Sequence, residues 1–246
     1  MLIFSSGSCR LLNTLSFPDN YNCNLLHSLN NNRLFGTNFL GKLHDINAHI
    51  QFIKFIRGDI NLDFIHLKKF LTIYNKDKWK TNEINFEGLP ESIDNLKNNI
   101  DNCDIYIFEI CSIKSYKSNG YFCHHEQFIN NQLDSECETI TLDENKLIKK
   151  INELIDLLPN KKIIFQCHFR PNIIFNDEKK AIVNREIVYN ALLKCCNENV
   201  FLYDPSVILI NKSKELLTDD LHFNDLGLQK SKQYIFENII IPRCNL

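Results

Sequence analysis

The sequence predicts a three-layer α/β/α sandwich around a mainly parallel sheet, and three observations carry that prediction. Short apolar runs alternate with long amphipathic stretches, the order of a parallel sheet with helices on both faces. The run Asp104-Ile105-Tyr106-Ile107-Phe108-Glu109-Ile110-Cys111 is apolar at nearly every position, as a central strand covered on both sides requires. Leu147, Ile148, Ile151, Leu154, Ile155 and Leu158 form one helical stripe that Pro159 stops.

The elements follow in order. Leu2-Ile3-Phe4 reads as a buried strand running into the turn Ser5-Ser6-Gly7. Residues 10–43 are Asn-rich and mixed, and no element is assigned there. Asp45 caps a helix whose Ile46, His49, Ile50 and Ile53 share a face, and Gly58 ends it. A second helix is expected over Phe64–Tyr74, followed by a polar loop with Trp79 and Pro90. After the central strand, residues 112–140 read as a long polar connection, a length that in small domains is often functional. Thr141-x-x-Glu144 has the spacing of a capping box. Strands follow at Lys162–Cys167 and Val200–Tyr203, with helices at 178–197 and from Asn224 to Ile240.

With 246 residues, 44% of them hydrophobic, the chain can bury a sizeable core and fits one domain of ordinary α/β size or two small ones; a single domain over 1–246 is expected, since no domain boundary shows. That domain carries an irregular or helical insertion around 60–100. The net charge of −2 gives no global field for nucleic acid or an anionic membrane, so neither is expected as a partner. No apolar run is long enough to span a bilayer. Ten cysteines are scattered without a Cys-x-x-Cys pair, and Cys103, Cys111, Cys167 and Cys195 sit in apolar runs as small hydrophobes. Met1-Leu2-Ile3-Phe4 is too short for a secretory leader, so a reducing, cytoplasmic location is expected.

In open parallel sheets, ligands bind beyond the carboxyl ends of the strands. Four features fall there: Gly7-Ser8-Cys9, Ser112, His168-Phe169-Arg170, and Asp219-Asp220-Leu221-His222 before the last helix. Asp219-x-x-His222, with Asn224 and Gly227 behind it, resembles the closing block of SGNH/GDSL hydrolases. Phe223 stands where that family has Pro. Ser6-Gly7-Ser8-Cys9-Arg10 resembles the same superfamily's opening block, in the variant of its GSCFA-like branch. Aligned on Gly7, Ser8 takes the place of the family's Asp and Cys9 that of its nucleophilic Ser.

The resemblance implies an SGNH-like, flavodoxin-like fold and an esterase or acyltransferase acting on an acyl ester, of a carbohydrate, with no cofactor. Its catalytic residues would be Cys9 or Ser8 as nucleophile, His222 as base and Asp219 as its orienting carboxylate. Gly7, Gly36, Asn38, Ser112, His168 and Arg170 would contact substrate, and acyl-CoA is one candidate donor. The middle blocks depart from the family: its Gly-x-Asn-Asp is replaced by Glu109-Ile110-Cys111-Ser112-Ile113-Lys114. A catalytically inactive glycan-binding or interaction module is therefore the alternative. Each residue also has a bland role: Cys9 as core filler, Ser8 as turn residue, Asp219 as helix-dipole partner, His168 and Arg170 as structural bonds. Cys123-His124-His125-Glu126 lacks a matching ligand set on a helix, and no metal is expected.

Overall fold

The structure is a computed structural model that describes residues 1–18, 21, 23–27, 43–62, 89–123, 138–219 and 222–243, with the backbone alone at Cys9, His27 and 89–92. Its strands are β1 (Leu2–Ser6), β2 (Asn24–His27), β3 (Ile105–Glu109), β4 (Lys114–Ser118), β5 (Tyr121–Cys123), β6 (Glu138–Thr141), β7 (Lys162–Gln166) and β8 (Val200–Tyr203). The longer helices are α1 (Cys9–Ser16), α2 (Ile46–Arg57), α3 (Leu89–Asn99), α4 (Glu144–Asp156), α5 (Val183–Lys194) and α6 (Asp225–Ile235).

Five parallel strands form the central sheet in the order β2-β1-β3-β7-β8. Alternate residues face opposite layers, as the period of a strand dictates. Phe4, Tyr106, Phe108, Ile163, Phe165 and Val200 pack with α2, α3, α4 and α5. Ile3, Ile105, Ile107, Ile164, Phe201 and Tyr203 pack with α1, α6 and the π-helical turn Phe236–Ile240. The fold class is thus the expected α/β sandwich. The chain leaves β1 for β2 on one side, whereas β3, β7 and β8 extend the sheet on the other. In open parallel sheets such a reversal is where ligands bind, which here is the carboxyl ends of β1 and β3.

Several local expectations hold. Asp45 caps α2 by accepting from Ala48 N at 3.0 Å, and Gly58 ends the helix at φ 83°. Leu147, Ile151, Leu154 and Leu158 are buried along one stripe. Others are corrected. The cap of α4 is Asp143, which accepts from Lys146 N at 2.8 Å, while Thr141 is the last residue of β6. The segment read as a polar connection contains β4, β5 and β6 as a small antiparallel sheet. Its inward residues include Ser115 and Ser118, so no apolar alternation marks it. Gln51 ties this sheet to α2, accepting from Phe122 N at 2.7 Å and donating to Phe122 O at 2.9 Å. Pro90 lies in the first turn of α3, where a missing N–H costs nothing. Helix α5 starts only at Val183, after a 3₁₀ turn at Glu178–Lys180 capped by Asp177. The expected helix at Phe64–Tyr74 and Trp79 lie outside the described residues. No helix among the described residues is long and apolar enough to cross a membrane.

Candidate active site

Strand β1 delivers Ser6-Gly7-Ser8 to this end of the sheet, and Ser8 caps α1 by accepting from Arg10 N at 3.3 Å. Beside this turn stands Glu109, the last residue of β3, fully buried. Its Oε2 accepts from Ser8 N at 2.7 Å and from the Ser8 hydroxyl. Its Oε1 accepts from Arg10 Nε at 2.8 Å and from the Cys111 thiol at 3.2 Å. Arg10 also donates to Cys111 Sγ at 3.2 Å. Burial alone would raise the Glu109 carboxyl, but the Arg10 charge and the Ser8 bond outweigh it and hold the group down at about 2. The same burial, with the Glu109 charge, pushes the Cys111 thiol up, so it stays protonated. Behind the turn, Ser6 Oγ lies 3.2 Å from His49 Nδ1 and His49 Nε2 lies 3.0 Å from Glu109 O. A carbonyl only accepts, so His49 carries its proton on Nε2 and accepts from Ser6. Burial lowers this imidazole to about 4 and keeps it neutral.

Gly7 has a steric reason. A Cβ there would stand 2.6 Å from Glu109 Cβ and 3.0 Å from Leu11 Cδ2. Gly7→Ala is therefore expected to destabilise the protein by about 1–3 kcal/mol through overpacking. Urea denaturation measures this, and a midpoint equal to the wild type would contradict the packing argument.

On β7, Gln166 is the register partner of Glu109 and projects from the same face. It is fully buried, and neither its Nε2 nor its Oε1 has a partner among the described residues. His168 follows the strand end, with a buried Nδ1 that also lacks a partner. Burial and the charges of Arg10 and Arg185 lower its imidazole to about 3. Arg170 is committed elsewhere: it holds Glu186 with bonds of 3.1 and 2.6 Å, reaches Asp204 at 3.1 Å and lies over the Tyr189 ring. The expected substrate contact at Arg170 thus meets a side chain that ties β7 to α5 and to the end of β8. Ser112 is likewise turned to its own loop, accepting from Lys114 N at 2.9 Å and donating to Lys114 O at 3.0 Å.

At the other end of the chain, the Asp219 carboxylate accepts from His222 Nδ1 at 2.9 and 3.0 Å and from His222 N at 2.8 Å. That bond fixes the tautomer and leaves the Nε2 lone pair as a base. Both side chains are about half exposed, so the imidazole is reachable. The residues behind it are its support. Asn224 caps α6 by accepting from Gly227 N at 2.9 Å and donates to Glu215 O at 2.7 Å. A Cβ at Gly227 would overlap the Leu216 carbonyl oxygen. Phe223, in the place of the family's Pro, packs edge-on against Phe169 with centroids 4.9 Å apart. It belongs to a small core with Ile174, Leu209 and Leu216.

Two sets of contacts place the Asp219–His222 block in the fold. Phe223 fixes the Asp219–His222 block beside Phe169, which follows His168. Helices α1 and α6 pack together, and Lys232 donates to Phe17 O at 2.7 Å. Lys232 lies about two turns into α6 and Phe17 about two turns beyond Cys9, so both helices begin at the same edge. Cys9 is the first residue of α1. Gly36 and Asn38 lie outside the described residues, as do His124, His125 and Glu126. The sequence reading passed over Arg10, Glu109, Cys111, His49 and Arg185. One signal was present: a Glu closing an otherwise apolar buried strand needs a cationic partner.

No protein-family model matches the chain. The GTPase Era of Campylobacter jejuni subsp. doylei (strain ATCC BAA-1458 / RM4099 / 269.97) is 24% identical over 120 residues, which are 49% of this chain. The chain spans 38% of the length of that curated relative. Among solved structures, a member of the lipolytic protein G-D-S-L family from Veillonella parvula DSM 2008 is similar with a TM-score of 0.43 and 12% identity, over 97% of this chain and 98% of that one. A Clostridium thermocellum family 3 carbohydrate esterase is similar with a TM-score of 0.34 and 14% identity, over 62% of this chain and 66% of that one. Likeness at this level does not speak for the chemistry of the chain.

Proposed function

We propose that this chain is an SGNH/GDSL-like esterase or acyltransferase of the GSCFA-like kind, acting on an acyl ester of a carbohydrate. One observation supports it above all. The Asp219 carboxylate holds the His222 imidazole just before α6, a helix that packs on α1, whose first residue is Cys9. In this reading His222 Nε2 takes the thiol proton, Cys9 attacks the acyl carbon, and the leaving alcohol receives that proton from His222. Water or a sugar hydroxyl then accepts the acyl group from the thioester. Position favours Cys9 as nucleophile over Ser8, a residue only 1% exposed whose hydroxyl is held by Glu109. The first position of a helix stabilises negative charge, which suits a thiolate. Ser8, Glu109 and Arg10 then act as positioning residues that fix the turn.

An assay with para-nitrophenyl acetate and acetylated sugars tests the reading. Cys9→Ala is expected to abolish turnover, and Ser8→Ala to retain it at reduced stability. Full activity in Cys9→Ala would remove Cys9 as nucleophile. The inactive-module reading rests on Ser112, whose hydroxyl is bound to Lys114 rather than offered to a ligand. It predicts sugar binding with no turnover in any variant. A GTP-hydrolysing reading is less well supported. Gly36-x4-Gly41-Lys42 has the spacing of a phosphate-binding loop, but Leu43 follows it instead of the Ser or Thr that would hold Mg²⁺.

A further inference from the structure

Beside the nucleophile turn, three arginines meet three carboxylates, but not one to one. Arg10 is matched by Glu109 at 2.8 Å. Arg170 takes both Glu186 and Asp204. Arg185, on the first turn of α5, has no carboxylate partner among the described residues. One of its N–H groups donates to Phe169 O at 2.7 Å, which seats the guanidinium at the end of β7 next to His168. The remaining N–H groups of the fork meet no acceptor among the described residues, and the side chain is partly buried. Arg10 and Arg185 are close enough for the first charge to lower the second, after burial. His168 Nδ1 is buried there with no partner among the described residues, as are both amide atoms of Gln166, two residues earlier on β7. Buried polar groups normally find partners, and a cluster of exceptions beside an unmatched guanidinium marks a place built for a ligand. With Glu109 on Arg10 and both Glu186 and Asp204 on Arg170, Arg185 is, among the described residues, the cation left to meet an anion.

We infer that the substrate bears an anionic group, a phosphate or a carboxylate, held by Arg185 and His168 beside the Arg10–Glu109 pair. Arg185 supplies a charged fork for two oxygens of the anion. His168 adds a neutral N–H, and Gln166 an amide donor from the sheet. The inference rests on the reading of this edge as an active site, because it assigns the substrate's second group to the strand next to the nucleophile turn.

Isothermal titration of the full chain with inorganic phosphate, and separately with acetate, at low ionic strength tests it. Saturable binding of one of the two is expected in the wild type and equally in Cys9→Ala, since the anion does not need the nucleophile. Tighter phosphate assigns a phosphate group and tighter acetate a carboxylate. Arg185→Gln is expected to weaken binding about tenfold or more, the effect of losing a charge-assisted bond. Arg243→Gln, remote from the cluster, is expected to leave it unchanged. If Arg185→Gln does not fold, Arg185→Lys and His168→Asn carry the test, and unchanged affinity in both overturns the inference. So does the absence of saturable binding of either anion. Anion binding without ester turnover in the wild type would instead overturn the proposed function and leave the anion site standing.

Discussion

Glu109→Ala unfolds at markedly lower urea than the wild type, an expected loss of about 3–5 kcal/mol. The magnitude follows from what the substitution leaves behind. Arg10 is 7% exposed and its main partner is Glu109. Without the carboxylate, a guanidinium remains buried and unmatched, the Ser8 N–H and hydroxyl lose their acceptor, and a cavity opens under Gly7. Glu109→Gln keeps the volume and part of the bonding, so its loss is smaller. Arg10→Met combined with Glu109→Leu is expected to be less destabilised than Glu109→Ala, because it removes both charges together. The pH dependence has a definite sign. Glu109 titrates at about 2 in the fold against an ordinary 4.5, so the folded state refuses a proton that the unfolded chain accepts. The stability difference between wild type and Glu109→Gln is therefore constant above about pH 4.5 and shrinks as the pH falls toward 2. A loss below about 1 kcal/mol for Glu109→Ala would mean that the pair is not holding the turn.

His222→Ala is expected to lower kcat/KM for the acetyl ester by about 10²–10⁴-fold with little change in stability. The imidazole is half exposed, so its removal opens no core cavity. Asp219→Asn is expected to fall short of that loss, about 10²-fold, because solvent partly replaces an exposed carboxylate. Asp219 acts through His222, so its variant should also move the pH profile of kcat/KM, which a merely structural role would not. Activity of His222→Ala within about twofold of the wild type would exclude it as the base.

The parts of this fold that were legible in the sequence are those whose signals are local. β1, β3, β7 and β8 show as apolar runs because both faces of each strand are covered. The α2 boundaries show because Asp45 and Gly58 satisfy the helix ends themselves. Edge strand β2 was hidden, since Asn24-Leu25-Leu26-His27 is short and lies in an Asn-rich stretch. The β4–β6 sheet was hidden because Ser115 faces inward to donate to Asp45 Oδ1 at 2.6 Å, a polar solution with no hydrophobic trace. Thr141 and Asp143 were both plausible caps two residues apart, and strand pairing to Lys114 decided for Asp143. In the site, Asp219 and His222 were readable because their bond spans three residues. Glu109 and Arg10 are 99 residues apart, and only the parallel pairing of β1 with β3 brings them together. Phe223 looked like a departure from the family pattern, and its packing on Phe169 gives the departure a structural use.

The most direct measurement is to find where an acyl group lands. Brief incubation with para-nitrophenyl acetate, followed by peptide mass spectrometry, locates the acetyl group on the chain. The account predicts acetyl on Cys9 in the wild type, formed far more slowly in His222→Ala, and none on Ser8. Acetylation of Cys9 at the same rate without His222, or turnover with the acetyl group carried by another residue, would contradict it.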